Sequence, residues 1–227
     1  MPEYQKIIYT IVMLNKLKST KKAERFSTRR MESLSDGVFG FAMTLLVLNI
    51  VVPTITSIKT DSQLWQALVD QQRGIISFVI AFFILAAMWS LHVRQFEKLD
   101  NVDRRFLFIN NVRLLVAILV AFSTSIAANY EQLVLARMIL PINFLLLAIV
   151  STWQWYYAIN AKPPLISDMT ESEKRMHKIR AVWFIVFAII VVAAARFIGE
   201  LAFAIFILMP LVVKLTAREE KVRDLAN

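Results

Sequence analysis

Ser35 and Asp36 lie in the run Arg30-Met31-Glu32-Ser33-Leu34-Ser35-Asp36-Gly37, at the entrance to a long apolar segment. A carboxylate there has two readings. It is either an acid in the first turn of a helix, favoured by the helix dipole with Ser35 as cap, or a member of a buried polar cluster that ties helices together. Spacing alone leaves both open. Trp89 and His92 close a second apolar segment, and at a separation of three they share a helix face. Asn110 and Asn111 open a third. Trp and His at a membrane edge are ordinary interfacial side chains. At one depth of three helices, however, Arg30, Ser35, Asp36, Trp89, His92 and Asn110 form a candidate hydrogen-bonded network.

No catalytic constellation accompanies them. There is no HExxH, no carboxylate pair inside an apolar segment and no Ser/His pair at matched depth. The chain has no cysteine, and its two histidines, His92 and His177, are far apart. The four glycines make no phosphate-cradling loop. Neither an enzyme, a metal site nor a bound cofactor is expected. Arg113, Arg137 and Glu200 are isolated charges in apolar surroundings, of the kind that snorkel or pair.

These residues must be positioned by membrane helices. Apolar residues make up 58% of the 227 and charged residues 19%, which is too apolar for an average soluble domain. The apolar residues fall in runs long enough to cross a hydrocarbon core of about 30 Å. The pattern predicts an all-α membrane protein with six transmembrane helices and no soluble domain. The expected spans are Leu34 to Val52, ending before Pro53, then Gly74 to His92, Phe106 to Ala128, Leu133 to Tyr157, Ile179 to Ala195 and Phe197 to Leu215. The last two are joined by little more than Arg196 to Glu200, and one long kinked helix is the alternative there.

The net charge of +9 would suggest nucleic acid in a soluble protein. Here the basic residues flank the spans. With six spans, 21 Lys and Arg fall on one side and three, Lys59, Arg73 and Arg196, on the other. By the positive-inside rule both termini are cytoplasmic. The expected location is the cell (plasma) membrane, in contact with the lipid bilayer and without a nucleic-acid partner. Residues 1–30 read as a basic cytoplasmic leader, an amphipathic helix on the membrane surface. Charge follows its apolar stretch, the reverse of a signal peptide. Residues 31–217 form the membrane domain and 218–227 a short cytoplasmic tail. A short interfacial helix is expected around Leu64 to Val69, and Ser167 or Thr170 as the cap before Glu171 and Glu173.

In the first span Phe41, Leu45 and Leu48 fall at i, i+4 and i+7 and make one stripe, with Thr44 beside it. At about 100° per residue, Asp36 points roughly the opposite way. The helix is two-sided, anchored by polar groups and presenting a bulky apolar stripe. From spacing alone, ordinary packing or lipid contact is the favoured reading of that stripe.

The segment Arg30-(three residues)-Leu34-Ser35-Asp36-Gly37-Val38-Phe39, followed by Ala42-Met43-Thr44-Leu45-Leu46-Val47-Leu48, resembles the first helix of the transmembrane protein 175 potassium channels. Trp89-(two residues)-His92 resembles the second helix of that family. Asp103-Arg104-Arg105-(four residues)-Asn110 and Phe122-Ser123-Thr124 resemble the third. The likeness covers roughly the first 130 residues, and later helices share only the layout. Leu34 stands where the family signature has Phe, and Phe41 is large for its position. The resemblance implies a potassium-permeable cation channel, a homotetramer with potassium as permeant ion. Its pore would be lined by the first helix, with constricting rings at Phe41, Leu45 and Leu48 and a selectivity layer at Thr44. Arg30, Ser35 and Asp36 would bond Trp89, His92 and Asn110. No TVGYG-like loop is present, so a hydrophobic gate is expected in place of a carbonyl filter. A secondary transporter and a proton-conducting channel are the alternatives. The first would call for internal repeats and broken helices, and no repeat is visible.

Overall fold

The computed structural model describes residues 3–5, 25–50 and 58–226, side chains excepted at Arg25 and 218–226. Most of the expected leader helix, and residues 51–57, lie outside the described residues. A strand β1 (Arg25–Phe26) leads into α1 (Thr28–Leu45), which tightens into a 3-10 turn, Leu46–Asn49. There follow α2 (Asp61–Asp70), α3 (Gln72–Phe96), strand β2 (Val102–Asp103), α4 (Arg104–Asn129), α5 (Val134–Asn160) and α6 (Glu171–Ile198). A 3-10 arm, Gly199–Leu208, and α7 (Met209–Ala226) complete the chain.

Side chains at the helix starts satisfy backbone N–H groups that have no partner within the helix. Thr170 and Glu173 form a reciprocal capping box at α6, and Thr60 and Gln63 do the same at α2. The Asp103 carboxylate accepts from the Phe106 N–H at 2.8 Å and starts α4.

Among the described residues five helical stretches are long and apolar enough to cross a membrane: Thr28–Asn49, Gln72–Phe96, Arg104–Asn129, Val134–Asn160 and Glu171–Ala217. The last replaces the two α-helices expected there, and it is not a single kinked helix either. Gly199, at φ +60°, ends α6 in a conformation that favours glycine. The chain then turns back, so that Trp183 of α6 donates to the Thr216 hydroxyl of α7 at 3.0 Å. The returning arm has three residues per turn. Gly199 and Ala202 are buried, while Leu201 and Ile207 are exposed.

The helices alternate in direction. At the basic end, Asp100 N–H donates to the Leu165 carbonyl at 3.0 Å, Tyr157 donates to Asp103 at 2.6 Å and Lys98 pairs with Glu173 at 3.0 Å. At the far end, Arg73 pairs with Glu131, Ser77 donates to Glu200 and Arg137 donates to the Phe197 carbonyl at 3.2 Å. A core containing Phe39, Leu46, Leu85, Leu140 and Leu147 runs between the two ends. A second cluster, with Met31, Phe96, Phe106 and Trp155, closes the basic end. Among the described residues the short ladder between β1 and β2, pairing Arg25 with Asp103 and Phe26 with Val102, is the one departure from an all-helical description.

Candidate functional site

The burial pattern of α1 divides it lengthwise. Met31, Ser35, Phe39 and Ala42, continued by Leu46, are buried. Leu34, Gly37, Phe41, Thr44 and Leu48 are exposed and recur at steps of three, four, three and four, which keeps them on one face. Phe41 is 64% and Leu48 73% exposed among the described residues, high values for large apolar side chains. Leu45 is half-buried and stands at the edge of this face, so the observed stripe is carried by Phe41, Thr44 and Leu48. The Thr44 hydroxyl donates to the Phe41 carbonyl at 2.8 Å. That bond satisfies its proton within the helix and leaves oxygen lone pairs to face outward. A groove of about 300 Å³, lined by Leu34, Gly37, Phe41 and Ile118, runs beside the stripe.

The opposite side is fastened. Trp89 Nε1 donates to Asp36 Oδ1 at 2.8 Å, joining α3 to α1. Asn110 Nδ2 donates to Ser35 Oγ at 3.2 Å, joining α4 to α1. Asp36 lies two turns inside α1, whose N-cap position is held by Ser27, and this removes the capping reading of Ser35 and Asp36. Near the far end Asn49 Nδ2 donates to the Ala121 carbonyl at 3.1 Å.

Two expected members of the network depart from it. His92 is buried, but neither ring nitrogen has a hydrogen-bond partner. Its ring packs between Phe96, at a centroid distance of 3.9 Å, and Phe39, at 5.8 Å. One turn of α3 carries Trp89 to Asp36 and His92 into the aromatic layer beneath. Arg30 is exposed and makes no hydrogen bond or ion pair among the described residues. Five residues of helix rotate it well away from Ser35.

Sequence reasoning missed what stands behind Asn110. Gln154 of α5 donates to Asn110 Oδ1 at 3.0 Å. Its own carbonyl accepts from Arg113 at 3.0 Å. Arg113 also donates to Gln95 Oε1 at 2.9 Å and to the Met88 carbonyl at 3.4 Å. The guanidinium is wholly buried and is held by neutral acceptors. The connected groups Ser35, Asn110, Gln154, Arg113 and Gln95 thus tie α1, α4, α5 and α3 together at one level. A charge within an apolar segment flagged Arg113. Nothing in the sequence singled out Gln154 or Gln95, because their role depends on which helix faces meet.

No group of three or more His, Cys, Asp or Glu suited to a metal ion occurs among the described residues. Among the described residues the arrangement offers a fixed helix with one exposed face that carries no charge. Such faces, brought together around an axis, make an apolar constriction that excludes water and ions until it widens.

The family model described as "Endosomal/lysosomal potassium channel TMEM175" matches residues 30–120. A potassium channel of Streptomyces collinus is 38% identical over 103 residues, which is 44% of this chain and 48% of that protein. A potassium channel of Chamaesiphon minutus is 33% identical over 141 residues, 61% of this chain and 69% of that protein. The chain thus spans about half the length of the Streptomyces relative. Among solved structures, the crystal structure of a lysosomal potassium-selective channel TMEM175 homolog from Chamaesiphon minutus superposes with a TM-score of 0.64. It is 26% identical, with 84% of this chain and 97% of that one covered.

Proposed function

The chain belongs to the TMEM175 potassium channel family, a family of channels rather than enzymes, and on that premise we propose that it is a potassium-permeable cation channel lined by α1. The observation that carries this reading is the face Leu34, Gly37, Phe41, Thr44 and Leu48. It is apolar apart from one hydroxyl and stays exposed among the described residues, on a helix held from behind by hydrogen bonds.

Several copies of this face around an axis would make the pore, and the expected assembly is a homotetramer. Phe41 and Leu48 form the constricting rings, with Leu45 at their edge, and Thr44 supplies a ring of hydroxyl oxygens between them. The gate is hydrophobic. A small tilt or rotation of α1 changes the width of an apolar ring, and so whether it stays wet. With side chains rather than backbone carbonyls of α1 facing the ion, its hydration shell is not replaced and selectivity for potassium over sodium is modest. α6 and the arm that returns from Gly199 cross the membrane separately, giving six crossings with both termini in the cytoplasm of a cell whose plasma membrane holds the channel.

The test is ion flux into liposomes holding the purified protein, under a potassium gradient and then a sodium gradient, for wild type, Phe41→Ala and Leu45→Ala. Potassium flux altered by either substitution is expected. No flux in either gradient from folded, assembled protein contradicts the proposal.

A further inference from the structure

A crevice of about 670 Å³ lies between α3, α5, α6 and the 3-10 arm, away from the exposed face of α1. On α3 its lining runs from Val79 to Gln95. That is roughly 24 Å of helix axis, to be compared with a hydrocarbon core of about 30 Å. Its walls are apolar for most of this length, with Phe83 and Ala87 on one side and Phe203 and Ile207 on the other.

The charged groups of its lining stand toward its two ends, with the neutral Gln95, Ser151 and Thr152 on the side of Arg180. At the far end the Glu200 carboxylate accepts from Ser77. At the basic end lie Arg180, His177 and Trp155. Arg180 is exposed and makes no hydrogen bond or ion pair among the described residues. The neighbouring Glu173 is taken up by Lys98. Trp155 is 6% exposed and its indole N–H has no acceptor. The His177 ring packs against it at 5.1 Å.

We infer that this crevice is a binding site for an anionic phospholipid of the leaflet at the basic end, with its phosphate on Arg180 and one acyl chain between α3 and the arm. The charge pattern sets the direction. A phosphate meets an unpaired guanidinium at one end and would meet a carboxylate at the other. Basic pockets between membrane helices on the cytoplasmic side take anionic headgroups by the same complementarity. The arm suits an acyl chain because its three-residue period turns Leu201, Ala204 and Ile207 together toward the crevice. This site is separate from the pore proposed above, and its test reads no ion flux.

The test uses the delipidated full-length protein, titrated with phosphatidylglycerol or phosphatidylcholine of the same acyl chains and read by native mass spectrometry. Wild type is expected to hold phosphatidylglycerol about fivefold more tightly, the effect of one basic residue near an anionic headgroup. Arg180→Gln changes an exposed side chain and should bring phosphatidylglycerol down to the phosphatidylcholine level. Ala87→Trp, which fills the crevice, should weaken both lipids with the assembly mass unchanged. Equal binding of the two lipids by wild type, or an Arg180→Gln variant that keeps the preference, overturns the inference. If Ala87→Trp breaks the assembly while Arg180→Gln keeps the preference, the crevice belongs to a second copy of the chain instead.

Discussion

Trp89 of α3 and Asp36 of α1, 53 residues apart in sequence, are joined by a single indole-to-carboxylate hydrogen bond of 2.8 Å at the basic end of the bundle. This bond and the Asn110-to-Ser35 bond at 3.2 Å fix how α1 is rotated, and therefore which of its residues remain exposed.

A double-mutant cycle isolates that contribution. Asp36→Ala and Trp89→Phe are each expected to destabilise the subunit, and the double variant to be less harmful than their sum. The coupling energy should fall near 0.6 kcal/mol, and no higher than about 1.7, the range for hydrogen bonds between membrane helices. Unfolding in mixed detergent micelles gives the number. Strict additivity would show that the two residues act independently.

Gln154 holds two partners, Arg113 and Asn110, whereas Gln95 holds Arg113 alone. Each buried polar group left without a partner costs roughly 1–3 kcal/mol. Arg113 keeps one glutamine in either variant, whereas Gln154→Leu alone strips Asn110 Oδ1 of its donor, so it should cost roughly 1–3 kcal/mol more than Gln95→Leu in the same unfolding assay. Equal costs would remove Gln154 from its central place in the network.

His92→Phe tests the departure of His92 from that network. The ring lies between two phenylalanines with both nitrogens unbonded. An apolar ring of similar size is expected to cost less than about 1.5 kcal/mol. A larger loss would show that the imidazole nitrogens take part in the polar network.

The two sides of α1 should respond differently to truncation. Phe41 is exposed and Leu46 fully buried. Phe41→Ala should raise potassium flux several-fold with little change in melting temperature. Leu46→Ala should cost about 2–5 kcal/mol of stability by leaving a cavity. If Phe41→Ala destabilises as strongly as Leu46→Ala, the stripe is packing.

Much of the frame was legible in the residues. Apolar run lengths placed the first four membrane helices, Thr170 lay before Glu171 and Glu173 as a cap, and residues 64–69 fall within α2. Helical geometry put Ser35, Asp36, Trp89 and Asn110 at a common level, where they are bonded in pairs. Facts about which surfaces meet were not legible. The Gln154 and Gln95 amides become partners of Arg113 only once α3, α4 and α5 are packed. Trp89 and His92 share a face in projection, but one turn separates a carboxylate from an aromatic layer. The last connection was expected at Arg196 to Glu200, where Gly199 makes the turn, but the 3-10 winding of the arm was hidden because apolar residues continue through it, and the β1–β2 ladder because two residues per strand carry no periodicity.

The central claim, that α1 lines the conduction path, is open to an unusually clean measurement because the chain has no cysteine of its own. Single cysteines at Leu34, Phe41, Thr44 and Leu48, and at the buried Ala42 and Leu46, are exposed to a water-soluble cationic thiol reagent while potassium flux is recorded. The account predicts block at the first four positions and none at the last two. Block that ignores this spacing, or no block at any of the four in a protein that conducts, would contradict it.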